Sequence, residues 1–405
     1  MKELVELAKI DDPKFYNDPY PTYARMRAEE PILFYDPLNI WIFSKYEDIT
    51  EASRLSNIFS NSGGIFLTDA IQGDSVADEY FGNEGELISS LDHPRHSEIR
   101  RVIAPAFAPA VIDAMEDGIR ADCRVLLDRI TVEEPFDWIA EVAERLPLIV
   151  IARLMGLSGN NIDELARWSD EIMRFGEVMS DASRAESIKT FSAMNDYIMA
   201  QMDEKREQPG DDVLSVLLRA EQSLDYVTVA NVLSLSSAIL AGGNETTRAL
   251  LGNMVWALAE HPEQRELLAE NTELAVNTVH ETLRWKGPVH GFIRKVAQET
   301  ERRHKAMSPG QFVYFLYSSA NRDEDIWDDP ETFLVSRACE PINLAFGAGG
   351  HRCPGNRLAR LETRILLEEL IARFPLWDVI GEPRGIESLF RNGFYDMPIK
   401  FRSLG

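Results

Sequence analysis

The sequence predicts a mainly α-helical protein with a small β-rich lobe. Three observations carry that prediction. Helix-periodic stretches separated by short breaks fill Val111 to Gln222 and Glu263 to Arg284. A long apolar segment from Thr228 to His261 reads as one buried helix. Short β-branched and aromatic runs are confined mainly to residues 30–60, 288–320 and 385–403.

Size and charge bound the function. The chain has 405 residues, 45% of them hydrophobic, and exceeds the roughly 250–300 residues at which single cores stop growing. No repeat, low-complexity run or Pro/Ser linker divides it, so one catalytic unit over 1–405 is expected. A net charge of −25 argues against nucleic acid and anionic membrane surfaces as partners. The three cysteines, Cys123, Cys339 and Cys353, make no disulfide framework and fit a reducing cytoplasm. The N-terminal Met-Lys-Glu-Leu-Val-Glu-Leu-Ala-Lys holds no apolar run long enough for a signal peptide or anchor. Tyr226 to Asn244 is uncharged for 19 residues, near membrane-spanning length. Its Asn231, Ser234, Ser236 and Ser237 favour a buried central helix instead.

The elements follow in order. Residues 12–30 read as a capped helix, Ile32–Phe34 and Ile40–Phe43 as strands, and Tyr46–Arg54 as a helix. Leu55 to Pro94 has no Lys or Arg and reads as a mobile loop over a ligand, with one short helix. Asp92 to Arg101 opens the next helix, where His96 and Arg100 stand four apart on one face. Leu146 to Leu157 is apolar on nearly all sides. Arg167 to Arg206 is amphipathic and Met-rich, as expected over a flexible apolar cavity.

The long helix carries Gly242-Gly243-Asn244-Glu245-Thr246-Thr247 within its apolar body. A buried acid is costly unless it is partnered or working. Glu281 and Arg284 can pair at i, i+3 on the following helix. Pro288 to Arg294 then leads into an extended run, with a strand at Gln311–Tyr317 and a hairpin at Phe390–Phe401.

Phe346 to Gly355 reads Phe-Gly-Ala-Gly-Gly-His-Arg-Cys-Pro-Gly. Its four glycines strip bulk from both sides of Cys353, so backbone can approach something large and flat. A helix from Asn356 to Ala372 follows, with Pro354 suited to its first position. Cys353 then sits at a helix N-terminus, where a thiolate is favoured. The loop lacks the third glycine of a dinucleotide fingerprint and the second cysteine pair of a zinc site, and no orienting partner marks a nucleophile beside His351.

Phe346, Gly349, Cys353 and Gly355 fit Phe-x-x-Gly-x-x-x-Cys-x-Gly, and the chain resembles the cytochrome P450 superfamily, specifically its soluble bacterial members, over nearly its whole length. The resemblance implies haem b buried between the long central helix and the Cys-loop helix, with Cys353 as the iron ligand. It places His96, Arg100, Arg294 and His351 at the haem propionates. Glu245 and Thr246 become the acid and alcohol of a proton relay, with Gly242 and Gly243 leaving room for dioxygen. Ala238, Ala241, Gly242, Val289, His290 and Phe394 fall on substrate-facing positions. Glu281, Arg284 and Arg337 fall on a structural trio, Glu281 lying 72 residues before Cys353. Arg357, Arg360 and Arg364 form a stripe that either pairs with Glu362, Glu368 and Glu369 or docks an acidic electron donor.

The implied activity inserts one oxygen atom of O2 into an apolar small organic substrate, using two electrons. No flavin or iron–sulfur motif occurs, so a ferredoxin and its NAD(P)H reductase are expected as donors. A peroxide-driven peroxygenase and a non-catalytic haem sensor are the alternatives. Retention of Glu245-Thr246 speaks against both.

Overall fold

The computed structural model describes residues 2–72, 86–158, 162–174, 177 and 179–403. Part of the expected loop, at 73–85, and positions 175, 176 and 178 of the Met-rich segment lie outside the described residues.

Five strands make the main sheet of the β-rich lobe: β1 (Ile32–Tyr35), β2 (Ile40–Phe43), β3 (Phe59–Ser60), β4 (Gly291–Val296) and β5 (Phe312–Leu316), in the order β1-β2-β5-β4-β3. β1 and β2 pair antiparallel with Ile32 opposite Phe43, and β2 runs parallel to β5. β2 is buried along its whole length, as expected for a strand with neighbours on both edges and packing on both faces. Phe43, the last residue of β2, meets Phe59 edge-on and Phe315 at a tilt.

Six helices build the site: α1 (Arg95–Ile103), α2 (Arg145–Met155), α3 (Ile162–Met173), α4 (Val229–Glu260), α5 (Ala275–Trp285) and α6 (Asn356–Arg373). α4 is 32 residues long and starts where its cap dictates. The Thr228 hydroxyl accepts from Asn231 N–H and the Asn231 side chain accepts from Thr228 N–H, a reciprocal capping box. The helix continues through Gly242 and Gly243 to Glu260 without a break. A Cβ on Gly243 would lie 2.8 Å from Ile151 Cδ1, so the glycine lets α2 pack directly on α4. Trp138 and Trp377 donate their indole N–H to the carbonyls of Leu251 and Val255. Asn253 donates to Lys286 O and Asn392 O. These buried bonds fix the depth of α4 in the core.

Two strand segments lie outside the expected β ranges, Phe136–Asp137 and Trp377–Val379, and both pair with Pro398–Phe401. The C-terminal run is therefore not a hairpin. Phe394–Asp396 pairs instead with Arg384–Gly385. Hydrogen bonds from Met397 N–H to the Asp137 carboxylate and from Trp138 N–H to Met397 O draw the last strand into a different sheet. Among the described residues no helix is long and apolar enough to cross a membrane.

Candidate active site

A cavity of about 350 Å³ opens between α4 and the loop that precedes α6. Cys353 lies in its wall. The Cys353 N–H donates to Phe346 O at 2.9 Å, and its carbonyl accepts from Asn356 Nδ2 at 2.7 Å, closing the loop around the sulfur. Gly349 has φ 68° and a Cβ there would lie 2.1 Å from Ser53 O, so only glycine fits. The Arg360 guanidinium sits 4.8 Å over the Phe346 ring. α6 begins at Asn356 with Gly355 as its cap, so Pro354 stands just before the cap and not at the first helical position. Burial pushes the Cys353 thiol up, and the Gly355 N–H with Arg100, Arg360 and Arg352 pulls it back.

At one end of the cavity four nitrogen-bearing side chains converge: His96 and Arg100 from α1, Arg294 from β4, and His351. The His96 and His351 rings lie 3.8 Å apart. Burial, then the charges of His96, Arg294 and Arg100, pushes His351 down to about 3. Among the described residues neither Arg100 nor Arg294 has a carboxylate partner; Arg100 donates to Arg352 O and Arg294 to Ile293 O. Mutually repelling donors whose arginines lack an acid partner suit a ligand edge that carries carboxylates.

Ala238, Ala241, Gly242 and Val289 line the cavity. A Cβ on Gly242 would meet nothing within 4 Å, so open space faces the helix there. Two expected wall residues stand elsewhere. His290 is buried against Tyr16, with ring centroids 4.4 Å apart, and burial followed by the Lys286 charge pushes it down to about 3. It is a neutral packing residue. Phe394 packs on Trp256 at 5.7 Å, and Phe390 occupies the wall instead, 5.0 Å from Phe66. The backbone passes so close to α4 at Gly393 that a Cβ would lie 2.8 Å from the Ala249 Cβ.

The acid and the alcohol of α4 face different ways. Thr246 lines the cavity and its hydroxyl donates to Gly242 O at 2.7 Å. Glu245, about 100° around the helix, points into the protein, with its side chain 1% exposed. Its carboxylate accepts from Arg248 at 2.9 Å and from Arg391 at 3.1 Å. Arg248 also binds Glu144 and Asp170, and Arg391 also binds Glu177. Burial pushes the Glu245 carboxyl up, but Arg248, the Asp170 side chain and Arg391 outweigh it and hold it below the usual carboxylate range. The expected groove thus holds the alcohol, while the acid is clamped behind it.

On α5, Glu281 and Arg284 pair through two bonds of 2.7 and 2.8 Å. Arg337 and the Leu334 N–H add further donors to Glu281. Arg284 donates its remaining N–H groups to the carbonyls of Asn321, Pro330 and Thr332.

The arginine stripe on α6 is largely paired. Arg357 meets Asp113, and Arg364 meets Glu116 and Glu368. Glu369 binds Arg120 and Arg124 instead of the stripe. Glu362 faces the cavity, where burial holds its carboxyl well above the usual range against a hydrogen bond with Thr247. Its place on the Leu358, Ile365 and Leu366 face was the available signal. Asp170, Phe390 and Arg391 carried none, since each meets the site only through the fold.

Residues 49–384 match the family model for Cytochrome P450. A methyl-branched lipid omega-hydroxylase from Mycobacterium tuberculosis is 32% identical, covering 93% of this chain and 90% of that one. A linalool 8-monooxygenase from Pseudomonas putida is 29% identical over 98% of this chain and 99% of its own. A solved structure, cytochrome P450-153 from Novosphingobium aromaticivorans, superposes with a TM-score of 0.88 at 29% identity, covering 98% of this chain and all of that one. The chain belongs to the cytochrome P450 family. It is an oxygen-incorporating monooxygenase of the haem-iron class, with the mainly α fold of that family, and it depends on redox partners and O2. The family cofactor is a thiolate-bound haem. The residues present fit it: a thiol in the cavity wall, and a cluster of donors whose two arginines have no carboxylate partner among the described residues, where its propionates would lie.

Proposed function

We propose that the protein hydroxylates a neutral, apolar small organic molecule, with haem b held by Cys353. The observation that carries the reading is one cavity joining Cys353, Thr246 and an apolar wall of Ile65, Phe66, Ile88, Leu235, Val289 and Phe390. None of those wall residues is charged, so nothing there anchors a carboxylate. Two relatives are named for a methyl-branched lipid and for linalool, which supports an apolar guest.

His96, Arg100, Arg294 and His351 would hold the propionates, and Phe346, Gly349 and Gly355 would shape the loop around the sulfur. When bound, the haem supplies reductive activation of dioxygen and transfer of one oxygen atom to carbon. Thr246 holds a hydroxyl proton donor at the cavity face. Glu245 feeds that face with protons once its side chain leaves Arg248 and Arg391. Electrons come from a ferredoxin and an NAD(P)H reductase, because the sequence carries no redox motif of its own.

Two experiments test this. Ligands that convert the resting Soret band from low to high spin are screened, then turned over with ferredoxin, reductase and NAD(P)H. Product coupled to NAD(P)H is expected; turnover only with added peroxide, and never with the redox partners, would overturn the reading. Thr246→Ala is expected to divert NAD(P)H to hydrogen peroxide. Unchanged coupling in that variant would remove Thr246 from its assigned role.

A further inference from the structure

We propose that Asn61 is a substrate-binding residue and that the guest is an apolar alcohol whose hydroxyl donates to Asn61 Oδ1. This deepens the function proposed above and rests on it. Asn61 lines the cavity and is only 2% exposed. Its Nδ2 donates to Ser89 O at 2.7 Å, and that bond fixes which way the amide points. Oδ1, the other end of the amide, accepts no hydrogen bond among the described residues. A buried acceptor without a donor is costly, so a guest that brings one is favoured.

The backbone around Asn61 is firmly held. Its N–H donates to the Asp92 carboxylate at 2.9 Å, and the Ser60 hydroxyl donates to the same carboxylate. Ser60 stands opposite Lys295 in the pairing of β3 with β4. Gly63 and Gly64, at φ 108° and 97°, then turn the chain, and a Cβ on Gly64 would lie 2.1 Å from Asp69 Oδ2. Beyond the turn the Ile293 N–H donates to Ile65 O at 2.8 Å, and Ile65 and Phe66 line the same cavity as Asn61. One short segment thus supplies a polar point and the start of an apolar wall.

The chemistry of that point selects the guest. Arg294 adjoins Lys295 in β4, and a backbone hydrogen bond joins Leu91, two residues after Ser89, to the His351 ring, so Asn61 belongs to the end of the cavity where the donors converge. A carboxylate carries only acceptors and has nothing to offer Oδ1. An ammonium group would share that end with Arg294 and Arg100 and be repelled. A hydroxyl is neutral and donates to Oδ1. Its own lone pairs remain for the Ser89 hydroxyl, which makes no hydrogen bond among the described residues although Ser89 lines the cavity. The apolar body of the guest then lies along Ile65, Phe66, Ile88 and Val289.

The holoenzyme is titrated with 1-alkanols, terpene alcohols and sterols, each beside its methyl ether and its parent hydrocarbon, and the low- to high-spin Soret shift gives each Kd. Alcohols are expected to bind about tenfold more tightly than the matching hydrocarbons. An ether accepts but cannot donate, so it should bind no more tightly than the hydrocarbon. Asn61→Leu keeps the volume and removes Oδ1; there the advantage of the alcohol should vanish while hydrocarbon affinity holds. The reduced, carbon monoxide-bound Soret band reports whether that variant is intact, and the wild-type comparison decides the matter if it is not. Hydrocarbons or ethers that bind wild type as tightly as the alcohols would overturn the inference and leave the apolar guest in place. An alcohol advantage that survives in intact Asn61→Leu would overturn it as well. If no member of the panel shifts the band, the apolar guest proposed above falls, and the role of Asn61 with it.

Discussion

The chain uses Glu-Thr-x-Arg twice in buried helices, as Glu245 to Arg248 on α4 and Glu281 to Arg284 on α5, and the two pairs end in opposite conditions. Glu281 faces only donors: Arg284, Arg337 and the Leu334 N–H. The surplus N–H groups of Arg284 go to three carbonyls, and both side chains are at most 2% exposed. Among the described residues no second carboxylate pairs with Arg284 or Arg337. Glu245 shares its arginines with three further carboxyls, one of them half exposed. The same i, i+3 spacing gives a fixed strut in one place and an acid-rich cluster with room for a proton in the other. Local sequence sets the pair; the partners that the fold brings decide what it does.

The comparison can be broken most forcefully at the strut. Arg284→Ala would leave Glu281 buried with half its donors, a loss of about 3–5 kcal/mol. Chemical denaturation should show it as a large drop in midpoint, with poor haem retention. A loss below about 1 kcal/mol would mean the pair is not the closed unit described.

The matching change on α4 should separate stability from function. Glu245→Gln leaves Arg248 with Glu144 and Asp170, and Arg391 with Glu177, so the denaturation midpoint should shift much less than for Arg284→Ala. Coupled product formation should nevertheless fall about 100-fold, within the range for a lost proton donor. Equal losses of stability in the two variants would erase the distinction.

The smallest expected effect concerns pH. Burial and the Glu245 charge raise the Asp170 carboxyl to about 8 in the folded protein, whereas the unfolded chain releases that proton at an ordinary carboxylate value. This contribution to stability is full in acid and declines as pH rises toward about 8. Wild type minus Asp170→Asn should therefore show a stability difference that shrinks over that window. Solvent reach at Asp170 keeps it modest.

Legibility in the sequence followed the reach of each interaction. The bounds of α4 could be read from Thr228, Asn231 and Pro262, because caps and breakers act within a few residues. The Cys353 loop and the Glu281–Arg284 pair were visible for the same reason. The orientation of Glu245 was not, since Arg391 meets it across 146 residues and Asp170 lies 75 positions before it. Phe390 and Phe394 look interchangeable in sequence, and only the fold shows that Phe390 lines the cavity while Phe394 packs on Trp256. Glu362 was read with the arginine stripe, whereas its helix face turns it to the cavity.

All of this presumes that the sulfur of Cys353 is bound to haem iron. The reduced, carbon monoxide-bound Soret spectrum tests that most directly. Wild type is expected to show the red-shifted band of thiolate ligation, and Cys353→Ser is expected to lose it. Persistence of that band in Cys353→Ser would contradict the account.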